Sequence, residues 1–166
     1  MRKIGDLLKS LSKRTMGFVR RDMKQWECAG GVEFLRKAGI EEGATVLDFG
    51  CRVGHYSIPA AIAVGPRGVV YAVDKKGDPL RKIEEKAGDH NLSNLETVLT
   101  DGGSALDIAS HSIDFAMVYD ILHILDERER QSIYSEMQRL SRKISLIFSK
   151  AATQQKKHRL HCSACK

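Results

Sequence analysis

The sequence lacks a long apolar run and has few cysteines. Its longest apolar stretches, such as residues 58–64, are far shorter than the roughly 18 residues that suggest a membrane span. Four cysteines in 166 residues are too few and too unevenly spaced for a disulfide framework. We therefore expect no membrane span, and we expect Cys28, Cys51, Cys162 and Cys165 to be reduced.

The N-terminus also lacks the features of a secretory signal. It is basic, but no apolar stretch and small-residue cleavage site follow. We therefore read it as part of the mature protein and expect a cytoplasmic location. A hydrophobic content of 42% and a charged content of 29% are ordinary for a globular domain, and the length suits one domain.

Aromatic residues make up only 6% of the chain, and Phe18 alone stands among the basic residues at its ends. Residues 1–24 carry a net charge of +6 and residues 150–166 carry +5, whereas the part between them carries −5. Such ends are able to attract phosphate-rich surfaces. One aromatic residue does not form a series of stacking platforms, so solvated ends are the better interpretation, and a nucleic-acid partner is not expected.

The hydrophobic pattern alternates between helix and strand. Apolar residues recur at helical spacing in the first 40 residues, and β-rich apolar runs then alternate with helical stretches. The predicted strands are 45–49, 68–74, 95–100, 113–119 and 144–148, and the helices between them are 56–64, 79–87 and 127–140. Repeated βαβ units predict an α/β fold, a Rossmann-like, doubly wound and mostly parallel sheet of about five strands. We expect N-terminal helices over 1–40, this domain over 41–149 and a basic polar tail over 150–166.

Acidic residues and glycines follow the predicted strands, where ligands bind in open parallel sheets. Gly50 and Gly54 form a turn after the first strand, and Asp74 ends the second strand 20 residues after Gly54. This is the spacing at which a nucleotide-binding βαβ unit needs an acid for the ribose hydroxyls. Asp101 follows the third strand and Asp120 the fourth.

These residues resemble those of the class I S-adenosylmethionine (SAM) dependent methyltransferases, particularly the small-molecule type related to ubiquinone and menaquinone biosynthesis enzymes. The resemblance runs from about Trp26 to Phe148. The matching motifs are Val46-Leu47-Asp48-Phe49-Gly50-Cys51, Gly54-His55-Tyr56-Ser57-Ile58-Pro59-Ala60-Ala61, Val70-Tyr71-Ala72-Val73-Asp74 and Tyr119-Asp120-x-Leu122-His123. The resemblance implies SAM as the cofactor and methyl transfer to a small molecule as the activity.

The resemblance also implies a role for each strand-end residue. Asp48, Gly50 and Gly54 would frame the methionine part of SAM, Asp74 would bind the ribose hydroxyls, and Asp101 would bind the adenine amino group. The expected cofactor-binding set is Asp48, Gly50, Cys51, Gly54, Asp74, Lys75, Asp101 and Gly102.

Asp120 and His123 are the expected catalytic residues, since by the resemblance they face the methyl group and the acceptor. A base is needed only if the accepting atom must lose a proton. Other interpretations stay open: His123 as a packing residue, Asp74 as a helix cap and Asp101 as the start of a turn. Cys51 is read as a small packing residue, because nothing near it in the sequence predicts a lowered thiol pKa.

The chain departs from the family pattern at two places. Arg52 stands where the family has glycine, and the sequence after Phe148 is a polar tail where the family continues with a helix and an antiparallel strand pair. We expect that pair to be lacking. The strand 144–148 would then be an exposed edge, which predicts self-association or limited solubility. A truncated or degenerate SAM-binding domain without turnover is the alternative function.

Two other functions fit less well. A nicotinamide-dependent oxidoreductase with a G-x-G-x-x-G turn would need glycine at the positions of Arg52 and His55. The tail contains His158, His161, Cys162 and Cys165, whose side-chain types bind zinc. Adjacent His161 and Cys162 do not match the usual paired spacing, so we expect a polar tail and no metal site.

Overall fold

The computed structural model describes residues 22–101, 105–119 and 121–142. Within these ranges four strands form one parallel sheet: β1 Thr45–Phe49, β2 Val69–Asp74, β3 Leu95–Leu99 and β4 Phe115–Val118. Their order across the sheet is β3-β2-β1-β4. The direction of strand addition reverses between β1 and β4, so the crevice expected to bind a ligand lies beyond the carboxyl end of β1.

Helices cover both faces of the sheet. They are α1 Gly31–Ala38, α2 Ser57–Val64, α3 Gly77–Asp89 and α4 Glu127–Leu140. A π-helical turn, Trp26–Gly30, leads directly into α1, and a short 3-10 turn, Leu122–Ile124, precedes α4. α1, α2 and α3 pack on one face of the sheet and α4 on the other.

Strands β1, β2 and β4 are mostly apolar because they are covered on both faces, whereas β3 is only partly buried and carries Glu96 and Thr97. Val46 packs with α1 and α2, whereas the next residue, Leu47, packs with α4 on the opposite face. Side chains of a strand alternate between the faces of its sheet, so a central strand covered on both sides must be continuously apolar. The fold class predicted from the sequence is confirmed.

The predicted boundaries differ from the structure at several elements. α3 begins at Gly77, before the predicted start at Pro79, because proline is tolerated in the first helical turn, where its missing N–H has no helical partner. β4 is shorter than predicted. Ile113, just before β4, instead forms an isolated parallel bridge with Ser141. This bridge is on the side of β4 that faces away from β1.

The described residues contain four strands rather than the five that the pattern predicts. The predicted fifth strand, 144–148, lies outside the described residues, as do residues 1–21 of the N-terminal helices and the tail over 150–166. Among the described helices, none combines the length and the hydropathy that crossing a bilayer requires.

Candidate functional site

The loop after β1 is built around left-handed backbone. Gly50 has a φ of 78° and Gly54 a φ of 76°, and Arg52 between them has a φ of 51°. A Cβ on Gly50 would lie 2.7 Å from a side-chain carbon of Ile121, and one on Gly54 would lie 2.8 Å from Ile83. Both glycines are therefore required by backbone conformation and by close packing.

Asp74, at the end of β2, connects this loop to the loop after β2. One carboxylate oxygen accepts a hydrogen bond from the backbone N–H of Arg52 at 2.9 Å, and the other accepts from that of Lys76 at 3.0 Å. The residue is only 8% exposed. Because a carboxylate has about four lone-pair sites, each Asp74 oxygen can still accept a second donor. Its position is held by two backbone groups, and its remaining capacity fits a diol.

Asp48, near the end of β1, is almost completely buried. The Ser57 hydroxyl at the start of α2 donates a 2.6 Å hydrogen bond to one of its oxygens. Burial raises the pKa of Asp48 to about 6, against the effect of the Ser57 hydrogen bond, and the charge of Asp74 adds to the increase. A cation beside this carboxylate would lower its pKa again by stabilising the charged form.

A cavity of about 530 Å³ opens between the glycine loop, residues 50–54, and the N-terminal helix, residues 22–30, which leads into α1. Asp48 lies in its lining together with residues of the loop and of the N-terminal helix. The lining residues are Asp22, Met23, Trp26, Asp48, Gly50, Cys51, Arg52, His55, Tyr56 and Tyr119. This cavity is at the carboxyl end of β1, where the strand order reverses.

Aromatic rings form one side of the cavity. The Tyr56 and Tyr119 ring centroids are 4.5 Å apart, and the edge of Trp26 meets Tyr56 at 5.7 Å. Offset and edge-to-face contacts of this kind add to the stabilisation from apolar burial. The aromatic side therefore gives the cavity a preformed apolar wall.

Cys51 is a buried member of the cavity lining. Burial raises the pKa of its thiol, and the carboxylates of Asp48 and Asp74 raise it further. A thiol in this environment stays protonated and is a poor nucleophile. The pKa of the nearby His55 imidazole is lowered, mainly by burial and then by the charge of Lys86.

The structure brings together some of the predicted residues but not all of them. Asp48, Gly50 and Cys51 share the cavity, and Asp74 adjoins it through its hydrogen bond to Arg52. Gly54 packs on Ile83 and does not line the cavity. Lys75 and Asp101 are exposed and also lie outside the lining.

Three predicted residues cannot be located in the same way. Gly102 and Asp120 lie outside the described residues, and His123 belongs to the 3-10 turn, where its side chain is not described. The zinc-binding residue types of the tail, from His158 to Cys165, also lie outside. No cluster of three or more metal-binding side chains exists within 22–101, 105–119 and 121–142.

Sequence reasoning missed the contribution of the N-terminal helix. Asp22, Met23 and Trp26 line the cavity, yet no local motif marks them. Tyr56 and Tyr119 were not predicted as lining residues either, although both belong to the recognised motifs. The signal that would have identified them is their place in motifs that follow the carboxyl ends of strands.

Three comparisons with known proteins bear on this site. The family described as "Methyltransferase domain" matches residues 46–143. A demethylmenaquinone methyltransferase from Geobacillus kaustophilus is 24% identical over 110 residues, which cover 66% of this chain and 46% of the relative. An arsenite methyltransferase from Halobacterium salinarum is 30% identical over 93 residues, which cover 56% of this chain and 24% of the relative.

Solved structures agree with these matches. The crystal structure of a SAM dependent methyltransferase from Aquifex aeolicus superimposes with a TM-score of 0.61 at 26% sequence identity, covering 70% of this chain and 61% of that one. The chain spans about half the length, or less, of the curated relatives that it matches.

Proposed function

The chain belongs to the class I, SAM-dependent methyltransferase family, and on this premise we propose that it transfers a methyl group from SAM to a small-molecule acceptor. The observation that carries the proposal is the geometry of Asp74. Its carboxylate is fixed by the Arg52 and Lys76 N–H groups, and both of its oxygens can accept a further hydrogen bond. This is the acceptor pair that a ribose diol requires at the end of β2.

The residues of the cavity fit the other end of the cofactor. Asp48 is a buried carboxylate whose pKa is raised to about 6, and a positively charged amino group is a partner that would stabilise its charged form. Gly50 lines the cavity without a side chain, and Gly54 supplies a left-handed turn of the same loop. We propose that Asp48, Gly50, Cys51 and Gly54 frame the methionine part of SAM, and that Asp101, Gly102 and Lys75 lie toward the adenosine.

Bound SAM supplies a methyl group on a sulfonium, which is an activated leaving group. The protein's contribution is therefore mainly orientation, and alignment of reacting atoms is worth roughly 7–11 kcal/mol of a barrier. In our proposal the aromatic side of the cavity orients the acceptor and keeps water away from it. Asp120 or His123 takes the proton of the acceptor where the accepting atom carries one.

Arg52 does not prevent the loop from forming. It adopts the left-handed backbone that glycine would adopt more easily, and its N–H makes the hydrogen bond to Asp74. Arg52 thus keeps the left-handed backbone of the loop, and the residue lines the cavity. This retention supports a functional site over a degenerate one.

We also propose a cytoplasmic location and a domain over residues 41–149. Cys28 and Cys51 are free thiols, which suits a reducing compartment. The charged ends of the chain carry a single aromatic residue, Phe18, and so lack a series of stacking platforms, which favours a small-molecule partner over nucleic acid. Fractionation of cells that produce the protein tests the location.

Turnover tests the proposed function. The purified chain is incubated with SAM and a panel of small acceptors with phenol, amine, thiol, activated-carbon and arsenite groups, and release of S-adenosylhomocysteine (SAH) is measured. We expect acceptor-dependent release that is lost in Asp74→Ala and kept in Asp89→Ala, a matched change of an exposed aspartate at the end of α3. Release that is independent of Asp74 would contradict the proposal.

A further inference from the structure

The π-helical turn places a buried carboxylate next to the wall of the cavity. Glu27 is only 6% exposed, and one of its oxygens lies 2.5 Å from the Lys86 ammonium of α3. Lys86 also donates a 3.0 Å hydrogen bond to the backbone carbonyl of Val53 in the glycine loop. The imidazole of His90 faces the other Glu27 oxygen at 3.8 Å. Glu27 therefore joins the N-terminal helix, α3 and the loop.

The neighbouring residue makes a second connection to the same loop. The Trp26 indole N–H donates a 2.8 Å hydrogen bond to the backbone carbonyl of His55. Both Trp26 and His55 line the cavity. Consecutive residues of one turn thus connect to the glycine loop, Trp26 directly and Glu27 through Lys86.

The helix also approaches α2 closely behind these contacts. A Cβ on Gly31 would lie 2.8 Å from the Trp26 carbonyl and 3.0 Å from Pro59. The absence of a side chain at Gly31 lets the helix lie against Pro59 of α2. Sequence separations of 59 residues for Glu27 and Lys86 and of 29 for Trp26 and His55 make both contacts tertiary.

We infer that Glu27 and Lys86 are a positioning pair that holds the N-terminal helix over the cavity and thereby sets the affinity of the site for its ligands. Neither Glu27 nor Lys86 lines the cavity. The pair acts through Trp26, Met23 and Asp22, the cavity-lining residues of the helix that it anchors. The part of the inference that concerns ligand affinity rests on the proposed function, whereas the part that concerns the helix does not.

The chain contains a reporter for this inference, since Trp26 is its single tryptophan. Acrylamide quenching of its fluorescence measures how well the helix covers the cavity. Wild type is compared with Glu27→Gln, Lys86→Met and Lys86→Arg. The matched control is Glu33→Gln, which breaks an ion pair with Lys37 whose partners are 69% and 75% exposed on α1.

We expect the quenching constant to rise about twofold or more in Glu27→Gln and Lys86→Met, as the helix opens locally. It should stay unchanged in Glu33→Gln and be largely restored in Lys86→Arg, whose guanidinium retains the charge and donors. Lys86→Met keeps an apolar stem of similar length, so it tests the pair if Glu27→Gln does not fold. Quenching that is unchanged in Lys86→Met, or raised equally in Glu33→Gln, would overturn the inference.

A titration with SAH separates the inference from the proposed function. We expect its dissociation constant to rise about tenfold in Glu27→Gln and Lys86→Met, which corresponds to 1.4 kcal/mol. Wild-type affinity in both variants would overturn the link to the ligand site. A wild type that binds no SAH would contradict the proposed function, and the quenching series would still decide the role of the pair.

Discussion

Replacement of Asp74 by alanine removes the carboxylate on which the cofactor assignment rests. In the free protein the change deprives the Arg52 and Lys76 N–H groups of their acceptor. Arg52 and Lys76 are exposed residues, so water can replace part of what is lost. We therefore expect a stability decrease of only about 1 kcal/mol, at the lower limit of the penalty for an unsatisfied donor.

The effect on binding should be much larger. Hydrogen bonds to a charged group contribute about 1.5–3 kcal/mol each, and two ribose hydroxyls would lose their acceptor. The expected loss is at least about 3 kcal/mol, or roughly a hundredfold in the dissociation constant. The difference between these two magnitudes distinguishes a ligand-binding carboxylate from one that only caps the loop.

Calorimetric titration with SAH, combined with thermal unfolding, measures both quantities. The control is Asp89→Ala, which removes an exposed aspartate from the end of α3. It should bind SAH as the wild type does. An Asp74→Ala variant with undiminished affinity would refute the assignment of Asp74, and one that loses several kcal/mol of stability would show a structural role instead.

Three further predictions concern the loop, the buried acid and the end of the sheet. Arg52→Gly should relieve about 1–2 kcal/mol of left-handed backbone strain and strengthen SAH binding; weaker binding on titration would show that the guanidinium is itself a ligand. Burial raises the pKa of Asp48 from 3.8 to about 6, so the free protein should lose about 3 kcal/mol of stability as the pH rises from 4 to 6. Urea unfolding measures this loss, and Asp48→Asn should not show it. If Asp48→Asn lost as much stability between pH 4 and 6 as the wild type, the assignment of the loss to Asp48 would be contradicted. The strand predicted over residues 144–148 should mediate self-association, and sedimentation of wild type beside Ile147→Lys tests it; a monomeric wild type at high concentration would contradict it.

The central part of the fold was accessible from the sequence because its signals are local. β1, the glycine loop and Asp74 lie within one βαβ unit, where β-branched runs, glycines and an acid at a fixed spacing identify the elements. The bounds of α4 were equally clear. Asp126 caps its N-terminus and accepts from the N–H of Glu129, whose side chain accepts in return from the N–H of Asp126.

The wall of the cavity was not accessible in this way, since it depends on tertiary contacts. Trp26 reaches the site only because its helix docks on the loop through His55 and through the Glu27–Lys86 pair. Periodicity predicts that such a helix exists but not where it lies on the sheet. The ion pair has the same limitation, because Glu27 and Lys86 belong to different elements and form no motif.

An experimental structure of the chain with SAH tests the central claim most directly. We expect the ribose hydroxyls to lie within hydrogen-bond distance of the Asp74 carboxylate. We also expect the methionine end of SAH to occupy the cavity lined by Asp48, Trp26 and Tyr56. SAH bound elsewhere on the chain, or SAH that makes no contact with Asp74, would contradict the proposed SAM site.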